Sequence, residues 1–229
     1  AYYYDYTDKQ LLTKISDPVF GRLFALENVD DSEVWGAELE ALWMPIDGLT
    51  LGTSVNWMET EIGEFIGSNQ VGEEIDFDGS EFPFSSNWQA NASASYEWDL
   101  SDRLVGMVAL EAAYTGDAVA DYKSDDATTT DGQPYKYDSR FDIDSYTLLN
   151  ARIGVSSADG TWRTFAWGRN LTDEYYYNNV LQASDMLTRY AGMPRTYGVT
   201  VEYNWEARCR AEFIRPMANK SVRSAHPTP

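Results

Sequence analysis

The sequence has 229 residues, of which 37 are acidic and 17 are basic, so its formal net charge is −20 at pH 7. An acidic balance of this size disfavours nucleic acid as a partner. No run of about 18 apolar residues occurs, which excludes a transmembrane helix, whereas a mean hydropathy of −0.46 still permits a transmembrane β-barrel, in which every second residue faces a polar interior.

The positions of cysteine and histidine limit the chemistry of the chain. The single cysteine, Cys209, and the single histidine, His226, both lie beyond Trp205. The first 205 residues therefore disfavour a disulfide framework, a Cys or His metal site, and catalysis by a Ser-His or Cys-His pair. No two carboxylates have a spacing that indicates acid–base catalysis. We expect no enzyme activity, no cofactor and no bound metal.

Eight segments alternate between apolar and polar residues with the period of two that is typical of β-strands. In chain order they cover residues 2–15, 33–43, 49–60, 87–98, 104–115 and 146–156, a segment that begins at Trp162, and residues 196–205. Residues 16–31, 62–86 and 116–145 are expected to be long polar loops. Residues 45–48, 99–103 and 157–161 are expected to be short turns.

Connection length and tryptophan position both alternate along the chain. Long connections are expected after the first, third, fifth and seventh strands, and short ones after the others. Trp43 and Trp98 lie at strand ends that precede short turns, and Trp205 ends the last strand on the same side, whereas Trp57 and Trp88 lie at the opposite strand ends. Outer-membrane barrels have short periplasmic turns, long external loops and two aromatic girdles. The pattern therefore predicts an all-β fold, an antiparallel transmembrane β-barrel, rather than a soluble sandwich with scattered core tryptophans.

Two motifs near the end of the strand region carry a family resemblance. The sequence N-L-T-D-E at residues 170–174 is followed by Tyr175, and P-R-T-Y-G at residues 194–198 opens a last strand that ends in an aromatic residue. In this order they resemble the closing strands of TonB-dependent outer-membrane receptors. The run V-W-G-A-E-L-E at residues 34–40, followed by P-I-D-G-L at residues 45–49, resembles the same family.

The resemblance implies that residues 1–205 are about eight strands from the C-terminal part of a larger, ~22-stranded barrel in the outer membrane of a Gram-negative bacterium. It implies uptake of a scarce small-molecule or oligosaccharide ligand, such as a ferric siderophore, a cobalamin or a carbohydrate. Energy would come from the TonB complex through an N-terminal plug domain that this sequence lacks. Since the chain begins at Ala1 inside a strand-like run without a signal peptide, we expect a fragment or a processed chain that cannot transport alone.

The polar faces of the predicted strands would line the lumen of such a barrel and could contact the plug, while the apolar faces would contact outer-membrane lipid. The lumen-facing residues are then Glu38, Glu40, Asn56, Asn91, Glu97, Glu111, Asn150 and Arg152.

The longest predicted loop, residues 116–145, holds the candidate ligand contacts. Tyr122, Tyr135, Tyr137 and Arg140 combine aromatic and guanidinium groups that suit sugars or siderophores, although such residues also pack loops. The acidic residues of the loop offer oxygen ligands for Ca²⁺. Because they do not form a D-x-D-x-D-G loop, solvated acidic surface is the favoured interpretation.

Residues 206–229 differ in character from the rest of the chain. They hold five basic and two acidic residues, three of the eight prolines, and no period-two alternation. A family member would end at Trp205, so we expect a disordered tail that arises from read-through, a frameshift or an expression scar. A functional basic tail is the alternative.

Two other interpretations of the whole chain stay open. One is a small, complete eight-stranded outer-membrane barrel with a structural or adhesion role, which fits the strand count. The other is a soluble, secreted β-rich binding module, which extraction without detergent would reveal.

Overall fold

The computed structural model describes residues 1–68, 74–123, 128–129, 132–134, 136–183 and 186–205. The expectations for Tyr135 and for the tail at residues 206–229 lie outside the described residues. None of the described residues forms a helix that is long and apolar enough to cross a membrane.

Fifteen strands and one short 3₁₀ helix, at Ser139–Phe141, make up the described structure. In chain order the strands are β1 (Tyr2–Asp17), β2 (Gly21–Ile46), β3 (Leu49–Ile62), β4 (Ile66–Ser68), β5 (Glu74–Asp76), β6 (Trp88–Ser101), β7 (Leu104–Thr115), β8 (Ala118–Val119), β9 (Thr128–Thr129), β10 (Asp142–Ile143), β11 (Tyr146–Ser157), β12 (Trp162–Arg169), β13 (Tyr177–Ala183), β14 (Met186–Ala191) and β15 (Thr196–Tyr203).

The eight long strands form one antiparallel sheet in the order β1-β2-β3-β6-β7-β11-β12-β15. Each strand pairs with its predecessor among the long strands, which is the up-and-down order of an outer-membrane barrel. Strands β1 and β15 each have one neighbour within the described residues, so the sheet is open at both edges. The eight predicted strands and the antiparallel barrel-segment fold are confirmed.

The prediction of a long loop at residues 16–31 is wrong. Lys9–Asp17 of β1 pairs with Gly21–Val29 of β2 in a continuous ladder, so the hairpin turns at Pro18, Val19 and Phe20. The first connection is therefore short, and long connections follow only the third, fifth and seventh long strands. The alternation was hidden because four consecutive apolar residues, 23–26, break the period of two.

Register divides the sheet into two faces, because directly paired residues point to the same side. One apolar row runs across five strands through Trp43, Leu51, Ala94, Leu110 and Ala151. The neighbouring row, one residue along each strand, is polar on β6, β7 and β11, where it runs through Ser93, Glu111 and Asn150.

The apolar face has no protein cover among the described residues. Val199, Ile153 and Leu39 are 69%, 60% and 64% exposed. Exposed apolar surface on this scale indicates contact with a membrane or a partner rather than with water.

Tryptophans mark both borders of the apolar face. Trp57 and Trp88 are direct partners whose ring centroids lie 6.5 Å apart. Trp98 lies ten residues along β6 from Trp88, which corresponds to ~33 Å of strand and, at a tilt of ~45°, to ~23 Å of height. That height fits the apolar band of about 25 Å that such barrels present to lipid.

The short turns close tightly at the opposite end from the long loops. Gly48 has φ +80°, and an added Cβ would lie 2.1 Å from the Glu97 carbonyl oxygen. Glycine is therefore required in the turn between β2 and β3.

The long loops form a separate packed layer. The first loop core consists of Val29, Val34, Ile62, Phe65, Ile75, Phe77, Phe82 and Tyr122, and the second of Phe141, Ile143 and Val180. Strands β4, β5 and β9 form a small sheet in this layer, and β13 and β14 form a hairpin. The loops predicted at residues 62–86 and 116–145 thus contain ordered strands and buried apolar side chains.

Candidate ligand and lumen surfaces

The predicted lumen-facing residues lie on the polar face of the sheet. Glu38 pairs with Asn56, and Ser54 lies between Glu40 and Asn91 in one row of the ladder. All four sit on β2, β3 and β6, toward the β1 side of the sheet.

The remaining four lie on β6, β7 and β11. Glu111 pairs with Asn150, and Arg152 follows two residues later on β11, so all three share a face. The Asn150 side-chain amide donates to Glu111 Oε2 at 3.5 Å. Glu97 is on β6, four residues beyond Ser93, which pairs with Glu111.

A groove of about 680 Å³ runs along this polar face between β6 and β15. Its lining includes Glu111, Asn150, Arg152, Trp167, Arg169 and Glu202. The Trp167 indole N–H donates to Thr200 Oγ1 at 3.1 Å, and the Arg169 guanidinium lies 5.4 Å from the Trp167 ring centroid. Arg163 forms an ion pair with Glu202.

Sequence reasoning missed Trp167 and Arg169 as groove residues. The period of two places Arg163, Phe165, Trp167 and Arg169 on one face. This mixture of charged and aromatic residues does not have the polar composition expected of a lumen-facing surface. Strand pairing places Trp167 on the polar face, because Trp167 is the direct partner of Arg152.

The two sequence motifs meet where β12 leaves the sheet and β15 enters it. Asn170 is 4% exposed and has φ +50°. Its side-chain amide donates to the carbonyls of Glu174 and Met193 at 2.9 and 3.1 Å, and its Oδ1 accepts from the Glu174 N–H at 2.8 Å. Asp173 accepts from the Arg195 backbone N–H at 3.2 Å and forms an ion pair with its side chain.

We call this arrangement the motif junction: Asn170, Asp173, Glu174, Met193 and Arg195. The junction also rests on β11, because the Asn170 backbone N–H donates to Asn150 Oδ1 at 3.1 Å. Asn150, predicted to line the lumen, therefore also anchors the turn after β12.

The candidate ligand residues of the long loop do not gather at one place. Tyr122 is 5% exposed, packs edge-on against Phe65 at 5.4 Å between ring centroids, and donates its hydroxyl to the Leu12 carbonyl at 2.7 Å. Burial raises the pKa of the Tyr122 phenol. Tyr122 thus packs in the first loop core. Packing was one of the two roles that the sequence allowed for it, and ligand contact was the other.

Tyr137 and Arg140 lie elsewhere in the layer. Tyr137 packs against the second loop core, and the Lys123 ammonium lies 5.4 Å from its ring centroid. Arg140 is exposed and holds Asp138 through an Nε–Oδ2 hydrogen bond of 2.8 Å. That hydrogen bond lowers the pKa of the Asp138 carboxyl. Within the described residues, no group of three or more His, Cys, Asp or Glu side chains is placed to hold a metal ion.

A comparison with known families decides the identity of the fold. Residues 1–171, well over half of the chain, match the family described as TonB dependent receptor-like, beta-barrel. This chain belongs to the TonB-dependent receptor family. The matched range ends at Leu171, so every residue of the motif junction except Asn170 lies beyond it.

A solved structure agrees with this TonB-dependent receptor assignment. The crystal structure of the ferric yersiniabactin uptake receptor FyuA from Yersinia pestis matches 87% of this chain with a TM-score of 0.64 and 19% sequence identity. At that identity the likeness shows the fold alone. The chain spans 26% of the length of FyuA. A search of curated proteins gave no match.

Family and fold are those of transport receptors rather than enzymes. Members of the family are outer-membrane proteins of Gram-negative bacteria that bind a ligand and interact with TonB.

Proposed function

We propose that this chain is the C-terminal part of the barrel of an outer-membrane receptor that imports a scarce ligand with energy supplied by TonB. The apolar face contacts outer-membrane lipid, the polar face lines the lumen, and the loop layer stands outside the cell. The plug domain and the TonB contact belong to another part of the same receptor.

The two-faced sheet is the observation that carries the proposal. Large apolar side chains such as Val199 and Ile153 are mostly exposed on one face, while the polar groove lies on the other. A soluble module would cover its apolar face, because such exposure to water is unfavourable.

The open edges support a larger barrel. An unpaired strand edge is not tolerated in lipid, since no water is present to bond its backbone groups. The described residues leave β1 and β15 without second neighbours, so each edge takes a further strand from the rest of the receptor. A complete eight-stranded barrel would instead pair β1 with β15.

The ligand class we favour is a ferric siderophore. FyuA is named as a ferric yersiniabactin uptake receptor, and the exposed loop layer of this chain carries Tyr137 and Arg140. Cobalamins and carbohydrates are the alternative ligand classes, and the uptake experiment compares all three.

Uptake of radiolabelled ferric siderophores, cobalamin and maltooligosaccharides by intact cells tests the proposal. Disruption of the gene and deletion of TonB should each reduce uptake of the same compound to background. Arg140→Gln should weaken that uptake, whereas Lys136→Gln, which removes another exposed cation from the same loop, should leave it unchanged. Uptake that persists without TonB would refute the proposal.

A further inference from the structure

A second groove, of about 240 Å³, lies in the loop layer and shares no lining residue with the polar groove. It lies between the β1–β2 hairpin, the loop before β6, and the β13–β14 hairpin. Its lining includes Leu12, Phe24, Phe84, Val180, Leu181 and Thr13. We call it the loop groove.

Lipid does not account for the apolar lining of the loop groove. Tyr3 pairs with Trp35 near the external border of the apolar face, and Leu12 lies nine residues further along β1, about 30 Å of strand. Leu12, Phe24 and Phe84 are nevertheless 56%, 52% and 52% exposed. Half-exposed large apolar side chains converging on one groove are typical of small-molecule sites.

A neighbouring strand does not fill the loop groove either. The Leu12 carbonyl at the edge of β1 already accepts the Tyr122 hydroxyl at 2.7 Å. A strand that pairs with the free edge of β1 in the full barrel therefore cannot use the Leu12 carbonyl as a hydrogen-bond acceptor. We therefore expect the groove to stay open above the part of that edge that lies in lipid.

The backbone of Phe84 is strained in a way that places its ring at the groove. Its φ is +63°, in the left-handed region that bulky residues rarely adopt. The Phe84 N–H donates to the Val119 carbonyl at 2.7 Å, which holds this conformation. Strain of this kind concentrates at functional sites.

Charge and polarity limit what the groove accepts. Asp121 is part of the lining, and the chain as a whole carries −20, so an anionic group is disfavoured. The apolar side chains disfavour any unpaired ion. Thr13, another lining residue, is 2% exposed, and its hydroxyl has no hydrogen-bond partner among the described residues.

We propose that the loop groove binds an uncharged, ring-sized portion of the receptor's ligand that carries a hydroxyl or carbonyl group. The ring packs between Phe84, Leu12 and Leu181. The polar group bonds Thr13 Oγ1, which reaches the groove by rotation about χ1, so that a buried hydroxyl gains the partner it lacks. This assignment rests on the proposed receptor function.

Fluorine NMR with 4-fluorobenzyl alcohol as the probe tests the proposal on the full receptor in detergent. The alcohol should bind saturably, at least tenfold more tightly than 4-fluorobenzoate or 4-fluorobenzylamine. Phe84→Ser and Leu12→Glu should each abolish binding, whereas Tyr175→Ser, which removes an exposed ring elsewhere in the loop layer, should not. Thr13→Val should weaken binding of the alcohol roughly fivefold to tenfold and leave 4-fluorotoluene unchanged.

Several results would overturn the proposal: no saturable binding, equal binding of the charged probes, or binding that survives both Phe84→Ser and Leu12→Glu. Equal binding of the alcohol and the toluene by the wild type would overturn the role of Thr13. Heat-modifiable migration of the same samples reports barrel formation separately. A receptor that inserts and imports its ligand but does not bind the probe would refute the loop groove and leave the proposed function intact.

Discussion

The sheet and the loop layer are stabilised in different ways. All large apolar side chains that are buried among the described residues lie in or next to the loop layer, including Phe77 and Ile62, which are 1% and 0% exposed. On the sheet, Tyr197 and Val201 are 83% and 71% exposed on the apolar face. The loop layer therefore folds as a small soluble unit does, by burying apolar side chains. The sheet relies on backbone pairing and, in the proposed receptor, on lipid.

This difference has a consequence for substitutions. The identity of a side chain matters in the loop layer because it fills a packed core. On the sheet, we expect the face to which a side chain points to matter more than its size, because in the proposed receptor one face meets lipid and the other water. Changes in the two regions should therefore have separable effects.

Truncation of the loop core should have the largest effect. Phe77→Ala removes a ring that packs 5.2 Å from Tyr122 between centroids, and we expect a loss of about 3–5 kcal/mol in the local stability of the loop layer. Native-state hydrogen exchange of residues 74–82 measures it. Tyr197→Ala, at a lipid-facing site, is the matched control and should leave exchange unchanged. Loss of heat-modifiable barrel in Phe77→Ala would show that the two regions are not separable.

A charge on either face of β6 should distinguish lipid from water. Ala92→Arg places a guanidinium on the apolar face near mid-bilayer and should cost about 2–4 kcal/mol. Ser93→Arg, one residue further along on the polar face, should cost much less. Folding titrations of both variants into lipid vesicles give the two values, and equal costs would contradict the membrane assignment.

The motif junction connects the two regions, so a change there should have an intermediate effect. Asn170→Asp keeps the acceptor for the Glu174 N–H but loses both donors to backbone carbonyls, and should cost about 1–3 kcal/mol. Urea unfolding in vesicles measures the loss. Thr172→Ala, an exposed change in the same turn, should be neutral. A neutral Asn170→Asp would mean that the amide bonds contribute nothing.

The smallest effect is expected at a short turn. Hydrogen bonds from Ser157 and Thr161 lower the pKa of Asp159 to about 2. A lowered pKa stabilises the folded state above the ordinary carboxyl pKa of about 3.9, and that contribution disappears as the pH falls through about 2. Carboxyl NMR titration should show Asp159 ionised at pH 4. A midpoint near 3.9 would contradict the hydrogen-bonded turn.

The sequence predicted the sheet better than the loop layer, for a physical reason. On β6 the two faces differ in chemistry, apolar on one side and polar on the other, so the sequence alternates strictly from Trp88 to Trp98. In the loop layer, Phe65, Phe77 and Tyr122 come together from distant positions, and no local period records that packing. The burial of Tyr122 in the first loop core was therefore not visible in the sequence.

The extended β1–β2 hairpin shows the same limit. Beyond Asp8, which has φ +55°, the strands leave the apolar band and pair in the loop layer, where both faces carry apolar residues. Period-two alternation ends there although the ladder continues. Pairing partners such as Arg152 and Trp167 are likewise fixed by register, which a single sequence does not contain.

Site-directed spin labelling of β6 tests the central claim, that one face of the sheet meets lipid and the other a polar lumen, most directly. Single cysteines would be placed at each position from 90 to 95 in the full receptor, in a Cys209→Ser background reconstituted into lipid. We predict a period of two: labels at Ala90, Ala92 and Ala94 are accessible to dissolved oxygen, and labels at Asn91, Ser93 and Ser95 to a water-soluble nickel chelate. Uniform accessibility along the strand, or the opposite phase, would contradict the account.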